Sequence, residues 1–328
     1  MDQKFFLAAN SGQGFVSCYA GFPAAPQFLH IIKGGPGTGK SGFMKRIRAA
    51  ALERGLDTVS ILCSGDPASL DGLSIPDLGH AWVDGTAPHV REPEIFGVDA
   101  DYVNLGRFCR LPLSARDRAR AQAMNREYKA RYQAAYGKLA AAAALEKAEE
   151  LPDAAVTREE EARVRAILDA LPEGESIPGD DPEHAACNCE KRFLSAISCE
   201  GELCLEETVN LLCKQNYWLR GGSAVLEQAA AWAERKAGHV IRCPRPLRPD
   251  QLEAVLLPAQ GIALRRAPAP ITVPAGERAS SRAALLEGVE ELRAAKALHD
   301  KLEAVYKPYM DFDALTAYTE ETVQSLFG

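Results

Sequence analysis

The sequence has no Cys-x-x-Cys pair, no long apolar run and no excess of basic residues, and each absence removes a class of protein. Its nine cysteines are an odd number scattered through 328 residues, which fits a reducing compartment better than a disulfide framework. The longest uncharged apolar run, Leu139 to Leu145, falls far short of the roughly 20 residues that span a bilayer. Lys and Arg number 38 against 45 Asp and Glu, a net charge of −7, so no basic coat for nucleic acid is expected. The opening residues, MDQKFFLAAN, carry an early acid and a short apolar stretch, which argues against a signal peptide. The expectation is a cytoplasmic chain with neither membrane nor nucleic-acid partners. What remains is ordinary for a globular protein: 47% hydrophobic and 25% charged residues, at a length that suggests about two domains.

Apolar runs at Phe5–Ala9 and Phe15–Cys18, parted by Asn10-Ser11-Gly12-Gln13-Gly14, read as a hairpin. Phe28–Ile32 reads as a buried strand running into glycines, and helical spacing of Phe43, Ile47 and Ala50 predicts a helix from Lys40 to about Arg54. Thr58–Cys63 and His80–Val83 add strands, the start of a mainly parallel α/β sheet. Ser114 with Asp117 signals the start of a long helix to about Glu150, and a second helix starts near Thr157 with Glu160. On the long helix, Arg116, Arg118, Arg120, Arg126 and Arg131 could form a phosphate strip, although a solvated face with ion pairs suits them better. Residues 172–187, rich in Pro, Gly and acid, read as a linker between lobes at 1–171 and 188–328.

The two lobes repeat. A shift of 187 places Phe6, Leu7, Ala9, Ser11 and Gly14 on Phe193, Leu194, Ala196, Ser198 and Gly201, and Lys33-Gly34-Gly35 on Arg220-Gly221-Gly222. A shift of 182 places Leu70, Ile75-Pro76 and Gly79 on Leu252, Leu257-Pro258 and Gly261. The expected fold is therefore α/β and tandemly duplicated, each copy followed by long helices, and GGPGTGKS at 34–41, between a strand and a helix, makes it a P-loop NTPase type.

Residues 34–41 read Gly34-Gly35-Pro36-Gly37-Thr38-Gly39-Lys40-Ser41 and satisfy G-x-x-x-x-G-K-[ST] between a strand and a helix. Glycines let backbone N–H groups turn inward around phosphate oxygens, and the helix start adds further donors. Lys40 suits the β- and γ-phosphates of a nucleotide, and the Ser41 hydroxyl is a hard ligand for Mg²⁺. Asp84, ending a strand, is the expected acid on the metal side, and Asp66 could point to the same crevice or orient an acceptor. His89 and Glu92 are weaker candidates for holding water or substrate. Residue 85 is glycine, so the second acid that polarises water in many motor ATPases is missing. A further cluster, His184, Cys187, Cys189, Cys199 and Cys204, could be a zinc site, but its spacing fits scattered thiols better.

GGPGTGKS, CSGDPASLDGLSIPDLG and WVDGTAPHV, in this order after FFLAANSGQGFV, resemble an uncharacterised bacterial family of double-domain P-loop ATPases. The resemblance covers most of both lobes. It implies ATP binding and hydrolysis with Mg²⁺ through Lys40, Ser41 and Asp84, with a client or acceptor of unspecified chemistry. The usual pattern carries a P-loop in each half, and this chain departs from it. After Arg220-Gly221-Gly222 no lysine or hydroxyl is found at the required spacing, and Arg266 corresponds to Asp84, so the second lobe reads as degenerate. Arg265 or Arg266 could instead reach the first lobe as an arginine finger. A small-molecule or nucleotide kinase and a non-catalytic ATP-sensing regulator are the alternatives to an ATPase.

Overall fold

The computed structural model describes residues 1–24, 27–149, 154–171, 188–236, 238–267 and 275–328. The linker expected at 172–187 lies outside the described residues.

The opening apolar runs give three strands: β1 (Asp2–Phe6), β2 (Ala8–Ser11) and β3 (Gly14–Ser17). β2 and β3 make the expected hairpin, Ala8 opposite Ser17. Then come β4 (Phe28–Lys33), α1 (Lys40–Glu53), β5 (Thr58–Leu62), β6 (Leu70–Ile75), β7 (His80–Asp84) and β8 (Ala100–Asn104). Two helices close this half, α2 (Ala115–Glu149) and α3 (Ala154–Asp169). The main sheet has the order β1-β5-β6-β7-β4-β8. β1–β5, β7–β4 and β4–β8 are parallel, whereas β6 runs antiparallel to both neighbours. The sheet is thus mixed where a mainly parallel one was expected, because the β5–β6 and β6–β7 connections are short hairpin-like turns rather than helical crossovers.

The second half contains β9 (Asn188–Lys191), β10 (Ser195–Ser198), β11 (Gly201–Cys204), α4 (Glu206–Leu212), β12 (Gln215–Leu219) and α5 (Gly222–Ala233). β13 (His239–Pro244), β14 (Leu252–Leu257), β15 (Ile262–Arg266), α6 (Ala275–Tyr306) and α7 (Phe312–Phe327) follow. Its sheet runs β9-β13-β14-β15-β12, again with the third strand antiparallel to both neighbours. Position by position this repeats β1-β5-β6-β7-β4, and β8 has no counterpart among the described residues.

Strand alternation sends one face of each sheet toward the other. Leu29, Ile31, Ile61 and Val83 of the first sheet share one buried cluster with Ile241, Cys243, Leu256 and Ala263 of the second. The outer faces carry helices. Ile32, Leu73 and Trp82 pack with Phe43, Met44 and Ile47 of α1, and Val255 and Leu264 pack with Val225, Leu226 and Ala229 of α5. At the junction Phe6 and Phe193, paired by the 187 shift, exchange N–H···O bonds of 2.9 and 2.8 Å. The layers are helix, sheet, sheet, helix.

The long helices cross between halves. α2 lies antiparallel to α6, Arg131 beside Glu291 and Lys138 beside Glu287, over buried Leu139, Val289 and Leu292. α3 then packs on α5, and α7 packs on α1, where Leu315 joins the Phe43 cluster. Each half therefore supplies the cover for the other half's sheet helix. Among the described residues no helix is long and apolar enough to cross a membrane.

Candidate functional site

β4 lies inside the first sheet, with Ile32 opposite Asp84 on β7. Past its end the chain makes the glycine loop 34–39 and enters α1 at Lys40. Gly37 and Gly39 have φ of +70° and +84°, a region where a Cβ would clash. Thr38 is buried and its hydroxyl donates to the Gly35 carbonyl at 2.9 Å, bracing the loop from inside. Lys40 Nζ donates to the Gly35 and Gly34 carbonyls at 3.0 and 3.3 Å and stands 3.6 Å from Asp84 Oδ2. Ser41 Oγ accepts the Leu70 N–H at 2.9 Å, which ties the first turn of α1 to β6. Asp84 Oδ1 is taken by the Thr86 N–H and hydroxyl at 2.9 and 2.6 Å, leaving Oδ2 toward the lysine. Strand register and helix start thus bring Lys40, Ser41 and Asp84 to one place.

The other expected residues have different partners. Asp66 accepts the Ser69 hydroxyl at 3.0 Å and lies 3.5 Å from Lys296 of α6, so it behaves as a turn acid that also meets the second half. Glu92 pairs with Lys33 at 2.9 Å and accepts the Tyr102 hydroxyl, and these bonds hold its carboxyl below the usual range. His89 Nε2 stands 3.4 Å from Asp71 Oδ2, with its ring 4.7 Å from that of Tyr19. Tyr19 Oη, Asp71 Oδ2 and His89 Nδ1 are all buried without a hydrogen-bond partner. Burial, then the charge on Asp71, pushes the Tyr19 hydroxyl and the Cys63 thiol well above their ordinary values. Asp71 is absent from the expected residues, although the 182 shift pairs it with another acid, Glu253, inside an apolar strand.

The loop is roofed by the second half. A methyl group placed on Gly37 would meet Glu303 of α6 at 3.2 Å, and one on Gly39 would meet Leu315 of α7 at 2.7 Å. His299, 3.3 Å away, holds the Glu303 carboxyl below its usual range.

The corresponding place in the second half is built differently. Leu219 of β12 lies opposite Arg266 of β15, the register that sets Ile32 opposite Asp84. Gly221 precedes α5 at φ +84°, as Gly39 precedes α1. Ser223 Oγ accepts the Leu252 N–H at 3.1 Å, as Ser41 does that of Leu70. The structure therefore corrects the gap placement: Gly221-Gly222-Ser223 takes the place of Gly39-Lys40-Ser41, with a hydroxyl at the third position but no lysine and a shorter loop. Arg220 pairs with Glu160 of α3 at 3.0 Å. Arg265 donates to Glu206 at 2.6 and 2.7 Å, and Arg266 donates to Gln251 at 3.0 Å. These partners of the two arginines lie in the second half and not at the glycine loop.

On α2, Arg120 pairs with Asp117 and Arg131 with Glu127 and Glu291, the solvated ion-paired face. Cys189 and Cys204 donate to Glu234 and Glu206, and no group of three or more metal-ligating side chains occurs among the described residues. His184 and Cys187 lie outside the described residues. Comparison with protein families, curated proteins and solved structures found no match to the chain.

Proposed function

We propose that the chain is a P-loop nucleotide-binding protein with one Mg-nucleotide site, in its first half, and that it hydrolyses ATP there. In this reading the halves are copies of one unit, and the second has lost its loop. The observation that carries it is Lys40 meeting Asp84 Oδ2 at 3.6 Å over a loop whose glycines take positive φ.

The residues present fit the group. Gly37 and Gly39 take the positive φ with which backbone N–H groups can turn toward phosphate oxygens, and Lys40 adds a cation now shared between two loop carbonyls. Ser41 Oγ accepts one hydrogen bond and keeps a lone pair, so with Asp84 Oδ2 it would hold Mg²⁺ through hard oxygen donors. The bound ion would supply charge neutralisation at the β- and γ-phosphates. Lys40 and the loop amides orient the phosphates and balance charge that develops during transfer, the electrostatic positioning on which phosphoryl transfer depends. No acid follows Asp84, and slow turnover is the consequence. Preference for ATP rests on the family resemblance and on the absence of an N-K-x-D guanine motif.

Titration of Lys40→Ala with Mg-ATP tests the reading: affinity should collapse, and retained affinity would overturn it. A second reading, an ATP-sensing regulator, is favoured by the seating of Glu303 and Leu315 against Gly37 and Gly39. Scattering profiles that change with Mg-ATP while no phosphate is released would select it over the hydrolase.

A further inference from the structure

Ser41 and Asp84, the two oxygen donors of the proposed Mg²⁺ site, are both tied to the first two residues of β6. Leu70 gives its N–H to Ser41 Oγ at 2.9 Å. Asp71 reaches Asp84 by a longer route. Its Oδ2 stands 3.4 Å from His89 Nε2. The His89 N–H donates to the Thr86 carbonyl at 2.8 Å, and the Thr86 N–H and hydroxyl hold Asp84 Oδ1 at 2.9 and 2.6 Å. Asp71, His89, Thr86 and Asp84 thus form one line of contacts, and at its end Asp84 Oδ2 is turned toward Lys40.

A β-bulge gives this line its start. Ile61 of β5 lies opposite Gly72 and Leu62 opposite Leu70, so Asp71 is the extra residue between them. Bulges re-aim side chains and are frequent beside active sites. Here the bulged residue is an acid, and its side chain and that of His89 are each only 9% exposed. The His89 ring is clamped between Tyr19 and Phe15, its centre 4.7 and 5.4 Å from theirs. Lys33 fixes the same loop from β4, donating to the Gly85 and Arg91 carbonyls at 3.0 and 2.9 Å. The segment after Asp84 is therefore anchored to β4 through Lys33 and to β6 through His89.

We infer that Asp71 and His89 are positioning residues for the metal, holding the loop after β7 so that Asp84 presents Oδ2 beside Ser41. This inference rests on the Mg-nucleotide reading of the first half. Carboxylates that bind a metal are themselves held by hydrogen bonds, and losing such an outer partner commonly costs about 10–100-fold in metal affinity. The second sheet supplies a control. Glu253 is the extra residue at the matching bulge, where Ala254 lies opposite Cys243 and Leu252 opposite Pro244. At the end of β15, however, Arg266 stands where Asp84 ends β7.

The test is calorimetric titration of the full chain with ATP, in excess chelator and in excess Mg²⁺. Asp71→Asn and His89→Ala should each cut the gain in affinity brought by Mg²⁺ by about tenfold. Affinity in chelator should stay within about twofold of the unsubstituted chain, whereas Lys40→Ala lowers it under both conditions. The doubly substituted chain should be no worse than either single variant, since both break the same line of contacts. Glu253→Gln should leave the Mg²⁺ gain unchanged. Thr86→Val keeps its shape on a half-buried turn, removes one bond to Asp84 Oδ1, and decides the matter if the buried variants fail to fold: the gain should fall about threefold. An undiminished gain in folded variants, equal losses with and without Mg²⁺, or additive losses in the double variant would overturn the inference and leave the nucleotide site standing. An unsubstituted chain that binds no Mg-ATP would remove the site itself, and this inference with it.

Discussion

Beyond β4 the first half takes six residues, Gly34 to Gly39, to reach its helix; beyond β12 the second takes two, Arg220 and Gly221, to reach α5. The strand register, the glycine at φ +84° and the serine that braces the helix are the same on both sides. What separates the two strand–helix joints is the loop, one lysine and the sign of the charge at the end of β7 and β15. The glycine and serine thus belong to the joint between strand and helix, which both halves share, and on the proposed reading the lysine and acid of the first half serve a ligand instead.

That separation can be broken in four ways. The largest effect is expected from Lys40→Ala, which should cost about a thousandfold in Mg-ATP affinity, roughly 4 kcal/mol, by nucleotide titration. Gly222→Lys, at the matching position of α5, should create no affinity, because the loop amides are missing there. Next is acidity. The Glu253 carboxyl sits at about 7 in the folded chain against an ordinary 4.5. The stabilisation attached to its proton is complete below about 4.5 and is lost as pH rises through about 7, up to about 3 kcal/mol. Urea melts along that range should show the decline, and Glu253→Gln should flatten it.

Third, Gly39→Ala and Gly221→Ala should each destabilise by about 1–3 kcal/mol, since a Cβ would lie 2.7 Å from Leu315 and from Val225 respectively. Similar losses in melts, with nucleotide binding harmed only by the former, would sharpen the contrast. Unequal losses would break it. The smallest effect belongs to the serines. Ser223→Ala should cost about 1 kcal/mol of stability by orphaning the Leu252 N–H, and Ser41→Ala should cost the same plus Mg-dependent nucleotide affinity.

Much of the front site is legible in the sequence because it is local: Lys40 and Ser41 follow the loop directly, and Asp84 ends an aliphatic strand. β6 is not legible, since Asp71-Gly72 in its middle reads as a turn. The glycine is there because a Cβ would press on Ile61 and the Trp82 carbonyl, each about 3 Å away. The split of the first apolar run is equally hidden, because Phe5 and Ala9 are both apolar yet belong to different sheets. Serine 223 escapes notice because pairing glycines by identity shifts the gap, and only the backbone conformation of Gly221 restores it. Capping signals predict α3, and the repeat of the halves predicts the closing helices, without naming the helices they cover.

The exchange of covers has a consequence for biosynthesis. A chain that emerges from the ribosome N-terminus first presents Phe43 and Ile47 long before Leu315 and its helix have been translated. Until then the apolar side of α1 is without its cover, a state that invites aggregation or chaperone capture. A cut between the halves would leave two pieces, each carrying a cover that belongs to the other. Co-expressed fragments should therefore find one another, while either one alone should precipitate.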